Sequence, residues 1–154
     1  GLSKGLYHSG RAEDLSSAIA YGRELFPNKR HLAIGFSMSG NALLLLLSGR
    51  RGQVLPDAAI SVNAPIHLEK ASLKLSQGLN RIYDIRFFHQ CRRDLMASLQ
   101  DLEFKKAIPK FATIRDFDEL FTAPAGGFAT REEYYTSCST HSLLEDIQIP
   151  TVVL

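Results

Sequence analysis

The sequence has no tryptophan, only two cysteines, no strong excess of either charge, and no apolar run longer than Ala42–Leu47. Each shortage excludes something. Cys91 and Cys138 cannot build a disulfide framework, and their spacing has no metal-ligand logic. Both fall in helical patterns, where a free cysteine usually serves as a small buried hydrophobe. A membrane-spanning helix takes about 20 apolar residues, so no transmembrane segment is expected. The start, Gly1-Leu2-Ser3-Lys4-Gly5, has no apolar stretch after the lysine and does not read as a signal peptide. A reduced, cytoplasmic setting is therefore expected. Lysine and arginine total 18 against 16 acidic residues, for a net charge of +2. The basic clusters Arg50-Arg51, Arg92-Arg93 and Lys105-Lys106 are short and lack aromatic interleaving. They read as solvated helix faces, and nucleic acid is not an expected partner. No Walker loop, His-Glu-x-x-His or Gly-x-Gly-x-x-Gly motif occurs, so neither a metal nor a cofactor is implied.

What is present is the composition of an ordered globular chain, long enough at 154 residues to bury about two-thirds of its unfolded surface. Leu15, Ala18, Ile19, Gly22, Leu25 and Phe26 recur at helical spacing and predict a helix over 11–26, with Gly10 as N-cap and Pro27 as its stop. His31 to Phe36 predicts a strand buried on both faces. Met38 to Leu47 is apolar all round and predicts a central helix. A second strand is expected over Asp57 to Asn63, closed by Ala64-Pro65, and a third from Thr151, directly after Pro150. This is the βαβ grammar of a parallel sheet.

The connection from the second strand to the third is far longer than the dozen or so residues a crossover needs. It reads as helical. Leu79, Ile82, Tyr83, Phe87, Cys91 and Leu95 form one stripe, and Thr130 with Glu133 makes a capping box ahead of Tyr134, Tyr135 and Cys138. Residues 66–149 are therefore expected to be a helical cap insertion in a core made of residues 1–65 and 150–154. Its helices, from Leu79 to Leu99, are expected to roof the carboxyl ends of the strands.

The informative residues are Gly35-Phe36-Ser37-Met38-Ser39-Gly40-Asn41, at the predicted strand-to-helix junction. A nucleophile elbow needs a strained serine between strand and helix, with small residues two positions before and after it. Gly35 and Ser39 fill those positions, Ser39 in place of the usual glycine, and Gly40 supports the turn. The geometry lifts the Ser37 hydroxyl out at the carboxyl end of the strand. It also directs the Met38 backbone N–H at a developing oxyanion, helped by the helix N-terminus. The competing reading is that Ser37 merely caps the helix, since serine is a preferred N-cap.

Together with Tyr7-His8-Ser9-Gly10 ahead of a helix, Val62-Asn63-Ala64-Pro65 after the second strand, Arg115-Asp116-Phe117-Asp118 and Glu133-Tyr134-Tyr135-x-x-Cys138-Ser139, this motif resembles the α/β-hydrolase family of YheT-type and ABHD3-type esterases. The resemblance runs over nearly the whole chain. It implies a partial α/β-hydrolase fold of about three parallel strands with crossover helices. It also implies hydrolysis of carboxylic esters, with short- or medium-chain acyl esters or lipids as substrates. In this family the triad acid follows the strand that Pro150 to Leu154 begins and the histidine lies further on, so neither is expected among these residues. The loop giving the second oxyanion donor is expected upstream of Gly1.

Surface or helix-terminal roles are expected for the chain's own histidines, with His67 kept as the alternative base. His8 and His31 precede the serine, and His31 stands at the far end of the strand, roughly 20 Å away at about 3.3 Å per residue. His67, just past the second strand, is nearest by topology; His89 and His141 fall in the inserted helices. Asp116, Asp118 and Asp146 read as helix-end, solvent-facing carboxylates. The expectation is a serine hydrolase acting through Ser37 and the Met38 N–H, with these residues alone inactive and an open strand edge available for self-association. The rival is a non-catalytic binding or scaffolding module.

Overall fold

Glycine, proline and the switch between two-residue and 3.6-residue periodicity divide the chain into short elements, and the computed structural model describes residues 7–98 and 109–154. Gly1–Gly5, Leu99 and the Lys105-Lys106 pair lie outside the described residues. In chain order the elements are α1 (Ala12–Leu25), β1 (Leu32–Phe36), α2 (Met38–Leu47), β2 (Ala58–Val62), α3 (Leu68–Leu75), α4 (Arg81–Ser98), α5 (Ile114–Phe117), α6 (Arg131–Cys138) and β3 (Thr151–Val153). Short 3₁₀ and π turns link several of them. Among the described residues, no helix is long and apolar enough to cross a membrane.

The described residues form two compact units, one within His8–Leu68 and Tyr135–Leu154 and the other within Glu69–Tyr134, with Tyr7. The first holds an all-parallel sheet in the order β1-β2-β3, with Ile34 beside Ile60 and Ile60 beside Val152. Its core forms where the leucines of α2 meet α1 and β2: Ala12, Leu43, Leu45, Leu46, Leu47 and Ala59 are buried together. Each such leucine contributes about 1.5–3 kcal/mol by leaving water. The α2 boundaries match the sequence expectation, because a helix apolar all round has only one stable place.

β1 corrects the expectation of burial on both faces: Leu32, Ile34 and Phe36 are 58%, 52% and 64% exposed. A parallel strand is buried twice only when both sheet faces are covered. Here Ala33 packs on the α1–α2 core and Gly35 is buried, while the alternate residues face outward. β1 is also an edge strand. The His31 carbonyl accepts from Asp57 N–H and the Ser37 N–H donates to the Val62 carbonyl, so the intervening Leu32, Ile34 and Phe36 turn their backbone groups to the open edge. The N-terminus of α1 differs too: Arg11, not Gly10, is its N-cap, and Arg11 pairs with Asp14 at 2.8 Å.

The second unit is built on α4. Phe88 and Phe117 are buried and meet edge to face at 6.3 Å. Asp84, also buried, accepts the Ile114 N–H at 2.8 Å and so anchors α5, whose Thr113–Asp116 capping box is complete. The Arg115 guanidinium donates to Ser72 Oγ and Glu69 Oε1, tying in α3. Thr130 caps α6 through the Glu133 N–H, as its spacing predicts, while Glu133 reaches back to the Ala129 N–H. The α4 stripe read from periodicity is corrected. Leu79, Ile82, Tyr83 and Phe87 stand in solvent, and the buried face is Asp84 and Phe88 with Cys91 and Leu95 half-buried.

Candidate active site

β1 ends at Phe36 and α2 begins at Met38, which leaves one residue to reverse the backbone. Ser37 does so at φ 51° and ψ −123°. Glycine populates this conformation freely and L-residues avoid it. Holding a serine there costs about 1–3 kcal/mol, which the surrounding structure must supply. The clamps are visible. Ser37 N–H donates to the Val62 carbonyl at 2.8 Å, and its own carbonyl accepts the Asn41 N–H at 3.2 Å.

Two glycines make the turn sterically feasible. A Cβ on Gly35 would stand 2.7 Å from the Ser39 carbonyl oxygen and 2.8 Å from the Gly40 Cα. A Cβ on Gly40 would stand 2.8 Å from Ser61 Oγ on β2. Strand and helix therefore approach backbone to backbone, with Gly35 before and Gly40 after the serine. Ser39 sits between them at a position where a small side chain is tolerated.

Ser37 is exposed and occupies the N-cap position of α2, yet its side chain makes no capping hydrogen bond. The hydroxyl is thus left at the carboxyl end of β1, the edge where open α/β sheets place ligands. Met38 is the first residue of α2, so its N–H has no carbonyl one turn earlier within the helix. No acidic residue occupies the first turn of α2, and the positive end of the helix dipole remains unneutralised there. A hydroxyl and an oriented N–H at such a point are what an acyl-transfer site presents to a carbonyl.

The histidines are dispersed. His31 opens the amino end of β1, where Asp57 accepts its backbone N–H at 2.6 Å and lies 3.8 Å from the ring Nδ1. His67 and His141 stack at 4.3 Å beside the Ile66 carbonyl, which accepts the Thr140 and His141 N–H groups. His89 belongs to the other unit, edge-on to Phe88 and Phe111. Asp116 is occupied in capping α5, and hydrogen bonds from Thr113 hold its carboxyl below the usual range. Asp118 begins the π turn after α5, and Asp146 is exposed at the end of a 3₁₀ turn. Among the described residues no three His, Cys, Asp or Glu side chains are grouped as metal ligands. Burial pushes both thiols, Cys91 and Cys138, up to about 11, which leaves them protonated and unreactive near neutral pH.

His8 has a structural role. It is buried, and its Nδ1 accepts the Gly10 N–H at 3.1 Å. Burial, followed by the charges of Arg11 and Arg51, holds its pKa below the ordinary value. Unfolded His8 protonates near pH 6.5 while the folded one stays neutral, so its contribution to stability is present above that pH and is lost as pH falls below it. Urea midpoints at about pH 7.5 and about pH 5 should therefore fall further for the wild type than for His8→Gln. Equal falls would assign the acid sensitivity to other groups.

Sequence reasoning missed Asn41, one turn after Ser37 and fully buried. Its Nδ2 donates to Ser9 Oγ and to the Cys138 carbonyl, both at 2.7 Å, and its Oδ1 accepts Thr140 Oγ1 at 2.7 Å. The signal was available: a single amide in an otherwise apolar helix must find partners when buried. The partners themselves, 32 and up to 99 residues away, could not be read from spacing.

No family profile and no solved structure matches the chain. Curated relatives do. YheT of Escherichia coli (strain K12), named as an esterase, is 34% identical over 155 residues, covering 97% of this chain and 45% of YheT. A monoacylglycerol lipase of Saccharomyces cerevisiae is 27% identical over 97% of the chain and 35% of its own length. Human phospholipase ABHD3 is 28% identical over 99% of the chain and 38% of its own length. The chain thus spans less than half the length of these relatives. With a parallel sheet, an elbow at the strand-to-helix junction and alignment over almost every residue, the chain belongs to the α/β-hydrolase family.

Proposed function

We propose that this chain carries the nucleophile of a serine hydrolase acting on carboxylic esters, with short- or medium-chain acyl esters or lipids as substrates. The observation that carries the reading is Ser37 itself: exposed, held at φ 51° with ψ −123°, and making no capping bond. Strain of this kind persists where the surroundings enforce it, and it concentrates at functional sites. The names of the relatives, an esterase, a lipase and a phospholipase, agree on ester bonds.

In this reading Ser37 Oγ attacks the ester carbonyl carbon as a histidine removes its proton. The Met38 N–H stabilises the tetrahedral oxyanion. The carbonyl re-forms, the alcohol leaves with the proton returned by the histidine, and water then releases the acid from the acyl-serine by the same steps. The histidine and its orienting acid come from outside these 154 residues, as does the second oxyanion donor. Acyl transfer to serine calls for no metal or cofactor. Residues 66–149 are the cap insertion of a core formed by 1–65 and 150–154. The open β1 edge, with Leu32, Ile34 and Phe36 exposed, favours self-association of this stretch alone.

The test is labelling with a fluorophosphonate and turnover of p-nitrophenyl butyrate. Both are expected for residues 1–154 joined to the remainder of their reading frame, and neither for residues 1–154 alone. Labelling of any residue other than Ser37 would overturn the assignment.

A further inference from the structure

Beyond ester hydrolysis, we infer that the exposed face of α4 docks on an anionic phospholipid surface. Leu79, just ahead of the helix, and Ile82, Tyr83 and Phe87 within it are 85%, 68%, 58% and 49% exposed. Their spacing places them on one face, since residues three and four apart are neighbours on a helix. Single exposed apolar residues need no explanation, but a contiguous group of this kind marks an interaction surface. The α4 side chains that hold its own unit together lie elsewhere, at Phe88 and Asp84.

Charge selects the partner. The same face continues through Arg86, Gln90 and Arg93, which with His89 line a groove of about 440 Å³. α4 has two acidic residues, Asp84 and Asp94. Asp84 is buried, and Asp94 accepts the Gln90 amide. Arginines on the same exposed face as aliphatic and aromatic side chains offer a lipid surface both cationic and apolar contacts. The apolar groups enter the acyl boundary, the tyrosine sits at headgroup level, and guanidinium groups bind phosphates in bidentate fashion. α4, some 27 Å long at about 1.5 Å per residue, is too polar to cross a membrane and would lie flat on its surface. The inference stands whether or not Ser37 reacts. If Ser37 does react, the substrate class narrows to esters presented at a lipid surface.

Flotation with vesicles tests it, because protein aggregates sink and only bound protein rises. The chain is expected to float with phosphatidylcholine–phosphatidylglycerol vesicles, less at raised salt, and hardly at all with phosphatidylcholine alone. Arg86→Gln and Arg93→Gln should each lower the partition about fivefold, the worth of one basic residue at an anionic surface. Ile82→Ser with Phe87→Ser should abolish it. The chain lacks tryptophan, so Tyr83→Trp provides a sole reporter whose emission should shift to the blue on anionic vesicles and be quenched by brominated acyl chains. The replaced side chains are exposed, so circular dichroism should match the wild type. Should the serine variant unfold, the arginine variants decide alone. Equal flotation with both vesicle types, or no effect of the arginine substitutions, would overturn the inference. So would a dimer in light scattering that the same substitutions dissociate, since a second copy would then cover the face.

Discussion

Replacing Ser37 by glycine is expected to stabilise the protein and remove its turnover together. Glycine adopts φ 51° without strain, so the substitution relieves about 1–3 kcal/mol in the folded state. Against this stands the greater freedom of glycine in the unfolded chain, worth about 0.4–1 kcal/mol. The net gain is about 1 kcal/mol. Ser37→Ala keeps the Cβ and hence the strain, so its stability should stay near that of the wild type. A serine serving as a cap behaves in the opposite way: its replacement by alanine costs about 0.5–2 kcal/mol and by glycine a few tenths. Turnover of p-nitrophenyl butyrate by the protein that contains these residues should fall about 10⁴- to 10⁶-fold in both variants, the loss on removing a triad member. Urea midpoints and kcat measured on the same samples separate the two roles. A glycine variant less stable than the wild type, with turnover kept, would return Ser37 to the role of a cap.

The elbow was legible because everything that makes it is local. Strand, Gly35, Ser37, Gly40 and helix follow one another between Leu32 and Leu47, and the close approach requires glycine whatever surrounds it. α2 was legible for a related reason, since a helix without a polar face must be buried. The face assignments of β1 and α4 were not. Periodicity tells which side chains share a face, but not what that face meets. For Leu32, Ile34 and Phe36 an apolar run was read as burial on both sides, whereas one face is open. Leu79, Ile82, Tyr83 and Phe87 do share one exposed face, but Cys91 and Leu95, read into the same stripe, lie on the other side with buried Asp84 and Phe88. Asp84 shows why: an acid on the opposite side earns its burial from the Ile114 N–H, 30 residues later in the chain, and no local pattern announces that bond.

The largest loss of stability is expected from Asn41→Ala. Asn41 has no exposed surface, and its amide is fully engaged between Ser9, Cys138 and Thr140. A buried polar group left without a partner costs about 1–3 kcal/mol, and the alanine also leaves a void where the amide stood. The sum is about 3–5 kcal/mol, among the larger single-site effects. Asn41→Leu fills most of the void yet still removes the partner of Thr140 Oγ1 and of the Cys138 carbonyl, so it should recover only a part. The bonds form one network, so losses should not add. Thr140→Val made alone should cost about 1–2 kcal/mol, and much less when Asn41 is already alanine. Urea unfolding of the two single variants and the double variant measures that coupling. Additive costs, or an Asn41→Ala loss below about 1 kcal/mol, would show that the network is incidental to stability. A large coupling would mean that the helix behind Ser37 is held in register by residues 9 and 138–140. The strained serine could then keep its backbone conformation only while that distant knot stays tied.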